Sequence, residues 1–258
     1  MELPSGPAAD CSPALVIVAG QSNALGYTLG AVDLPPHLAA PLGTVMIWNA
    51  ADRAFAPMRP GANTGSPRNP ENWGPEAQFA YRWRQARACA PLYVVKYARG
   101  ETGLAADPAE RDWSPTSREE LWDAATADID AAKAALAAQG LRRVSAILWM
   151  QGETDAQVPA KAAAYQTNLR AFVARVRARW GDAETIIHIG QIDDHGPSGP
   201  GWRQVRKAQA AVAASDARVT LTDTDSFERQ AADGTHLTAE GQVRLGDGFH
   251  DARPIGGR

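Results

Sequence analysis

The sequence predicts an α/β protein in which a parallel β-sheet is covered by helices on both faces. Short apolar runs, which are typical of buried strands, alternate along the chain with longer segments of helical periodicity. The chain has 258 residues and a hydrophobic content of 45%, which is enough for a sizeable core. We therefore expect a single domain spanning residues 1–258, with its core between about residues 15 and 250.

Five apolar runs are predicted to be buried parallel strands, and a sixth, weaker run is predicted to be a short strand. The first run, Leu-Val-Ile-Val-Ala, contains no polar residue and is followed by a glycine that permits a sharp turn. The six predicted strands are Leu15–Ala19, Thr44–Trp48, Leu92–Tyr97, Val144–Met150, Thr185–Ile189 and Val219–Thr222.

Helical segments separate these strands, and proline and glycine mark several of their ends. Pro159 precedes one helix and Gly181 follows it, while Gly140 ends the helix before. The predicted helices are Glu76–Arg87, Arg118–Ala138, Ala160–Trp180, Trp202–Ala213 and Thr238–Leu245. Two segments without such periodicity, Arg53–Pro75 and Glu101–Thr116, are predicted to be long loops with a role in substrate binding.

Composition excludes several classes of protein. The formal charge is −3 and no long basic run is present, so we expect neither nucleic acid nor a membrane as a partner. The N-terminus lacks the basic start and apolar core of a signal peptide, which predicts a cytoplasmic protein, or a secreted one if a signal has been removed. Two cysteines exclude a disulfide scaffold. The oligomeric state stays open.

A nucleophile and a base are predicted from polar residues at the strand ends. Ser22 follows the first strand, at the sheet edge where sites form in parallel α/β folds. Serine needs a base, and Asp233-Gly234-Thr235-His236 supplies one, with Asp233 one helical turn before His236. His250, three residues after Asp247, is the second choice for the base.

Four sequence blocks resemble the SGNH hydrolase superfamily, and within it the sialate O-acetylesterase-like group, carbohydrate esterase family 6. The blocks are Gly20-Gln21-Ser22-Asn23, Tyr97-Ala98-Arg99-Gly100-Glu101-Thr102, Trp149-Met150-Gln151-Gly152-Glu153 and Asp233-Gly234-Thr235-His236. The resemblance implies a three-layer α/β/α sandwich with a five-stranded parallel sheet in the order 2-1-3-4-5. It also implies a serine esterase that removes O-acetyl groups from carbohydrates through an acyl-enzyme intermediate, with no cofactor and no metal.

The resemblance assigns roles to residues in these blocks. Ser22, His236 and Asp233 correspond to the nucleophile, the base and the group that orients the base. The oxyanion hole is expected to consist of the N–H groups of Ser22 and Gly100 and the side-chain amide of Gln151.

Two further residues of the motif blocks, and one beside them, are expected to support the site. Asn23 is expected to brace the turn and Glu153 to hold the Ser22 loop, while Asp155 is expected to cap the next helix. Asp193-Asp194-His195 is an alternative metal-binding cluster, which we do not favour because a polar loop after a strand is ordinary.

Substrate contacts are predicted at three positions. Glu101 stands where the family often has a second glycine, so its carboxylate is expected at the pocket wall and to disfavour an anionic sugar. Trp113 and Trp202 are candidates for stacking on sugar rings. The alternatives to a carbohydrate acetylesterase are an SGNH lipase, thioesterase or general short-chain esterase, and a non-catalytic carbohydrate-binding protein on the same fold.

The two cysteines are expected to be neighbours in space. Cys11 and Cys89 each lie a few residues before the first and third predicted strands, which are adjacent in the implied order. Adjacent strands are about 4.8 Å apart, close to the Cα spacing of a disulfide. Whether the two residues are bridged stays open at this point.

Overall fold

The structure is a computed structural model that describes residues 10–66, 69–109, 111–114, 116–117, 120–193 and 199–255. Its strands are β1 Ala14–Gly20, β2 Val45–Asn49, β3 Ala54–Pro57, β4 Leu92–Ala98, β5 Ala146–Met150, β6 Ile186–Gly190 and β7 Val219–Thr222. Its α-helices are α1 Ser22–Leu25, α2 Pro75–Ala86, α3 Leu121–Ala137, α4 Glu153–Gln157, α5 Pro159–Arg179, α6 Pro200–Ser215 and α7 Ala239–Ala252. Two short 3₁₀ helices cover Ala31–Asp33 and Pro36–Leu38.

The α/β class is confirmed, but the predicted number and order of strands are wrong. Over the residues that the structure describes, the sheet has seven strands in the order β3-β2-β4-β1-β5-β6-β7, and only the β2–β3 pair is antiparallel. β2 pairs with β4 rather than with β1. β3, which lies in a segment predicted to be a loop, covers the outer edge of β2, so this hairpin forms the margin of the sheet. β1, buried at every position, lies between β4 and β5.

Helices cover both faces of the sheet. The α5 side chain Phe172 packs on Trp149 of β5, while the α7 side chain Phe249 packs near His188 of β6. Trp149 pairs with Ile189, the neighbour of His188, so these two contacts lie on opposite faces. α7 packs with α2, and α5 with α3 and α6. No helix of the described ranges is long and apolar enough to cross a membrane.

The last helix is longer than predicted. It was predicted to end at Leu245, yet α7 continues to Ala252. Gly246 lies inside the helix because α2 is very close: a Cβ at this position would be 2.6 Å from the Pro75 carbonyl oxygen. Here glycine permits close helix packing rather than ending the helix.

The two cysteines form a disulfide, as their predicted proximity allowed. The Cα atoms of Cys11 and Cys89 are 5.1 Å apart, and the bridge joins positions separated by 78 residues. It lies before the first residues of β1 and β4, where Ala14 pairs with Leu92. The disulfide is therefore at the opposite edge of the sheet from the strand ends that Ser22 and Gly100 follow.

Candidate active site

Ser22 lies at a tight exit from the central strand. Gly20 has a φ of 138°, and a Cβ at this position would be 2.0 Å from the Met150 carbonyl oxygen, so only glycine fits. The N–H of Gln21 then donates to the same oxygen at 2.9 Å. Ser22 begins α1, is 5% exposed, and keeps a backbone N–H without an acceptor in the helix.

Gly100 is in contact with this serine. β4 ends beside β1, and the N–H of Arg99 donates to the Gly20 carbonyl oxygen at 3.1 Å. A Cβ on Gly100 would be only 3.7 Å from the Ser22 Cβ. The Gly100 N–H makes no hydrogen bond within the part of the chain that the structure describes. Gly100 and Ser22 therefore lie close together at the ends of β4 and β1.

Asp233 and His236 form a hydrogen-bonded pair in the turn before α7. The Asp233 Oδ2 and His236 Nδ1 atoms are 2.7 Å apart, and Asp233 Oδ1 accepts from the N–H groups of Thr235 and His236 at 2.8 and 2.9 Å. Burial raises the pKa of Asp233, but the hydrogen bonds from His236 and Thr235 outweigh it and hold the pKa below its usual value. The charged carboxylate holds the ring through Nδ1 and so fixes its tautomer and orientation.

Asn23 joins the serine helix to the histidine turn. Its Nδ2 donates to the Thr235 carbonyl oxygen at 3.2 Å, and its Oδ1 accepts from the Leu237 N–H at 2.9 Å, so the two bonds flank His236. Nδ2 also donates to Glu153 Oε1 at 2.9 Å. Among the described residues, no hydrogen bond links Ser22 Oγ to the His236 ring. In enzymes without bound substrate, catalytic hydrogen bonds are often long and shorten only when substrate binds.

Glu153 lies buried beneath this junction. Burial raises its pKa, while the hydrogen bond from Asn23 and the nearby His236 lower it less strongly. Its second oxygen, Oε2, is buried without a hydrogen-bond partner among the described residues. Buried and hydrogen-bonded to Asn23, this carboxyl group is placed to hold Asn23.

Gln151 does not present its amide to Ser22, which corrects its expected role as an oxyanion donor. The side chain is fully buried, and Nε2 donates to Asp155 Oδ2 at 2.6 Å and to the Thr102 carbonyl oxygen at 3.1 Å. These two bonds use both amide hydrogens. Its Oε1 accepts from the Tyr165 hydroxyl at 3.0 Å. Gln151 is therefore a buried brace between the loop after β4 and the segment after β5.

Asp155 braces the same loop instead of capping α5. Its Oδ2 accepts from the Leu104 N–H at 2.8 Å and its Oδ1 from the Ala105 N–H at 3.1 Å. The residue that caps α5 is Val158, which offers no side-chain cap. Burial raises the pKa of Asp155, although the hydrogen bonds from Leu104 and Gln151 lower it in part.

The two tryptophans predicted to stack on sugar belong to the core, so this prediction is wrong. Trp113 is fully buried, packs edge-on against Trp149, and donates from its indole N–H to Thr102 Oγ1 at 3.2 Å. Trp202 is 3% exposed at the start of α6. Neither indole has a face available to a ligand, because packing within the protein buries both.

The structure also shows where Glu101, His250 and Asp193 lie and what they contact. Glu101 is exposed beside Gly100 and has a left-handed φ of 60°. His250 bonds Asp251 at 2.9 Å on α7, while Asp247 binds Arg82, so His250 and Asp247 form no catalytic pair. Asp193 of the alternative metal cluster forms an ion pair with Arg229. Its neighbours Asp194 and His195 lie outside the described residues.

Sequence reasoning missed two residues near Ser22. Lys96 is buried in β4 and donates to Glu76 Oε1 at 2.7 Å and to the Leu25 carbonyl oxygen at 2.9 Å, which fixes the end of α1. Burial lowers the pKa of Lys96, and the Glu76 carboxylate opposes this. Tyr27 is 48% exposed with its ring centroid 4.7 Å from that of His236. Lys96 could have been found as a lysine within an apolar run, whereas no local feature of the sequence points to Tyr27.

The chain is similar to a known protein family over most of its length. Residues 12–253 match the family described as "SASA: Carbohydrate esterase, sialic acid-specific acetylesterase". No curated protein is significantly similar in sequence. Among solved structures, a protein from Arabidopsis thaliana is similar with a TM-score of 0.74 and 22% identity, over 93% of this chain and 97% of that one.

Two further solved structures share the fold. NanS has a TM-score of 0.69 and 14% identity, over 95% of this chain and 97% of its own. A carbohydrate acetylesterase from Xanthomonas citri has a TM-score of 0.62 and 17% identity, over 93% of this chain and 56% of that chain. At these sequence identities, the similarity to the three solved structures shows that this chain shares their fold.

Proposed function

The chain belongs to the carbohydrate esterase family of sialic acid-specific acetylesterases, and we propose that Ser22, His236 and Asp233 perform its ester hydrolysis. As a member of that family it is a carboxylic ester hydrolase that removes acetyl groups from carbohydrates. The observation that supports the triad best is the position of Asn23, whose side chain bonds the backbone on both sides of His236 from the residue next to Ser22.

The proposed reaction has two steps. The Ser22 oxygen attacks the acetyl carbonyl carbon while His236 takes the serine proton, and the oxyanion accepts hydrogen bonds from the Ser22 and Gly100 amides. When the tetrahedral intermediate collapses, His236 returns the proton to the departing sugar oxygen, which leaves acetyl-Ser22. Water then attacks this ester while His236 takes a water proton; as the bond to the Ser22 oxygen breaks, His236 returns the proton to that oxygen and acetic acid is released. Asp233 stabilises the imidazolium in both steps.

We propose a neutral or weakly charged sugar as the substrate within this family. Glu101 directly follows the oxyanion donor Gly100, and its side chain is exposed. A carboxylate beside the acyl site repels the carboxylate of a sialic acid, although water around an exposed side chain weakens the repulsion.

Ser22→Ala tests the proposal. The variant should lose nearly all hydrolysis of aryl acetates and of acetylated glycans, because it removes the nucleophile while the fold is kept. His236→Ala in the Ser22→Ala background should add little, since members of a triad act as one unit. His250→Ala is the matched control and should retain wild-type turnover. A Ser22→Ala protein with a tenth or more of wild-type turnover would refute the assignment.

Aryl acetate compared with aryl butyrate separates the acetylesterase from its alternatives. Strong preference for acetate, followed by release of acetate from a panel of acetylated glycans, is the expected result. Equal or better hydrolysis of butyrate would favour the lipase or general esterase, and binding of glycans without turnover would favour the carbohydrate-binding protein.

A further inference from the structure

We propose that Tyr27 is the surface on which the sugar bearing the scissile acetyl group stacks, an inference that rests on the proposed function. Large apolar side chains are seldom exposed in the described part of the chain, and Tyr27, at 48%, is one of them. Its ring contacts the His236 ring, with centroids 4.7 Å apart and planes inclined by 44°. An exposed aromatic ring therefore lies directly against the proposed general base.

The chemistry of the leaving group indicates what lies against this ring. His236 must protonate the sugar oxygen as the carbon–oxygen bond breaks, so that oxygen has to lie within hydrogen-bond reach of His236. In the proposed reaction the acyl oxygen points instead to the amides of Ser22 and Gly100, two residues that lie close together where β1 and β4 end. The alcohol part of the ester therefore lies on the His236 side of the site, where Tyr27 is exposed.

Tyr27 is held firmly enough to act as a platform. Its N–H donates to the Ser22 carbonyl oxygen at 3.0 Å, which ties it to the nucleophile. Gln230 Nε2 donates to Thr28 Oγ1 at 2.5 Å and to the Leu237 carbonyl oxygen at 3.3 Å, while the Gln230 N–H donates to the His236 carbonyl oxygen at 2.7 Å. One glutamine thus joins the Tyr27 segment to the histidine turn.

The backbone next to the ring is in a costly conformation. Thr28 has a φ of 67°, and the other non-glycine residues of the described chain with positive φ are Arg53 and Glu101. Two of these three residues therefore lie beside the proposed site, Thr28 next to Tyr27 and Glu101 next to Gly100. Such strained conformations cluster at active sites and ligand clamps.

An aromatic ring and a polar hydroxyl suit a pyranose, whose faces are lined by C–H groups and whose rim carries hydroxyls. The Tyr27 hydroxyl makes no hydrogen bond to the described residues and is available to the sugar. The ring supplies the stacking surface, so Tyr27→Phe should preserve most of the interaction and Tyr27→Ala should remove it.

The test compares two acetate esters that differ only in the alcohol. The quantity measured is kcat/KM for an acetylated methyl xyloside divided by kcat/KM for ethyl acetate, which has no ring to stack. We expect Tyr27→Ala to lower this ratio about tenfold, the effect of one aromatic contact, and Tyr27→Phe to change it less than about threefold. Tyr93→Ala, at the opposite edge of the sheet, is the control and should keep the wild-type ratio.

The outcomes are distinct. An unchanged ratio in Tyr27→Ala, with both esters hydrolysed more slowly, would show that the ring only supports His236 and would overturn the inference alone. An equal fall of the ratio in Tyr93→Ala would also overturn it. Failure of the wild-type protein to hydrolyse either ester would overturn the proposed function itself.

Discussion

At the scale of single residues, Glu101 is a charged side chain placed where glycine would be less strained. Its φ of 60° lies in the left-handed region, which costs a non-glycine residue roughly 1 kcal/mol or more. Glu101→Gly should therefore raise the free energy of unfolding by about 1 kcal/mol. Arg53→Gly is a matched control, because Arg53 also has a positive φ, of 48°, but lies in the β2–β3 turn.

The same substitution tests the proposed sugar preference. Glu101→Gly should raise kcat/KM for O-acetylated sialic acid by about two- to fivefold relative to a neutral acetylated xylo-oligosaccharide, since exposed charges interact weakly. The difference should shrink at high salt. Arg53→Gly should leave the ratio unchanged. Equal changes on both substrates would show that Glu101 has no influence on substrate charge.

We predict that Gln151 contributes mainly to the stability of the fold rather than to catalysis. Gln151→Ala removes a buried amide and leaves Asp155 and the Thr102 carbonyl group without their partner, which should lower the free energy of unfolding by roughly 2–4 kcal/mol. Chemical denaturation measures this directly. The loss of one oxyanion donor usually lowers turnover by roughly two to three orders of magnitude. If Gln151→Ala had that effect while stability stayed unchanged, Gln151 would be an oxyanion donor, as expected from the sequence.

At the scale of elements, sequence reasoning worked where the signal was local. The apolar runs located six of the seven strands, and the motif blocks brought Ser22, Gly100 and Asn23 to one edge of the sheet. The strand order, which the resemblance implied as 2-1-3-4-5, was wrong. Periodicity could not correct it, because it indicates burial and not the identity of the neighbouring strand. β3 was missed since its four residues are mostly exposed or half-buried and follow a turn.

The two tryptophans that were wrongly predicted to bind sugar were misjudged for the same reason. Trp113 and Trp202 were expected at the surface because they lie in a loop or at a helix start, yet tertiary packing buries both. Tyr27 lies in a comparable position and is exposed. Burial of an aromatic side chain in irregular structure depends on what folds over it, and the local sequence does not contain that information.

At the scale of the whole molecule, the Cys11–Cys89 disulfide closes a long segment of chain. A cross-link over 78 positions is expected to stabilise the folded state by about 4 kcal/mol, through the reduced entropy of the unfolded chain. Reduction, or the Cys11→Ser/Cys89→Ser variant, should lower the melting temperature while the folded protein keeps its turnover. Reductant should have no effect on the variant. Unchanged stability after verified reduction would contradict this expectation.

Acid stability should depend on His188. Burial, with smaller effects from the charges of Arg253 and His250, lowers the pKa of this histidine to about 3. The folded protein therefore resists protonation at His188, whereas the unfolded chain takes up the proton at about pH 6.5. The stability conferred by the neutral ring is present above that pH and is lost as the pH falls towards 3, by about 1.4 kcal/mol per pH unit.

The slope of unfolding free energy against pH measures this effect. Between about pH 6 and 4, the slope of His188→Gln should be shallower than that of the wild-type protein by the contribution of about one proton. This difference does not depend on the absolute stability of the variant. His37→Gln is the control, because His37 is exposed and bonds Gln78 outside the sheet. Equal slopes in wild type and His188→Gln would show that His188 is protonated in the folded state.

The hydrogen bonds of Asn23 also bear on when the protein becomes active during its synthesis. They join positions separated by 212 residues, from the first helix to the turn before the last one. Contacts across such a distance form only after most of the intervening chain has been ordered, because a long loop must first be closed. A nascent chain with its central strand already folded would still lack the histidine turn. With the proposed triad, ester hydrolysis therefore begins only after the histidine turn has been synthesised and has docked against α1.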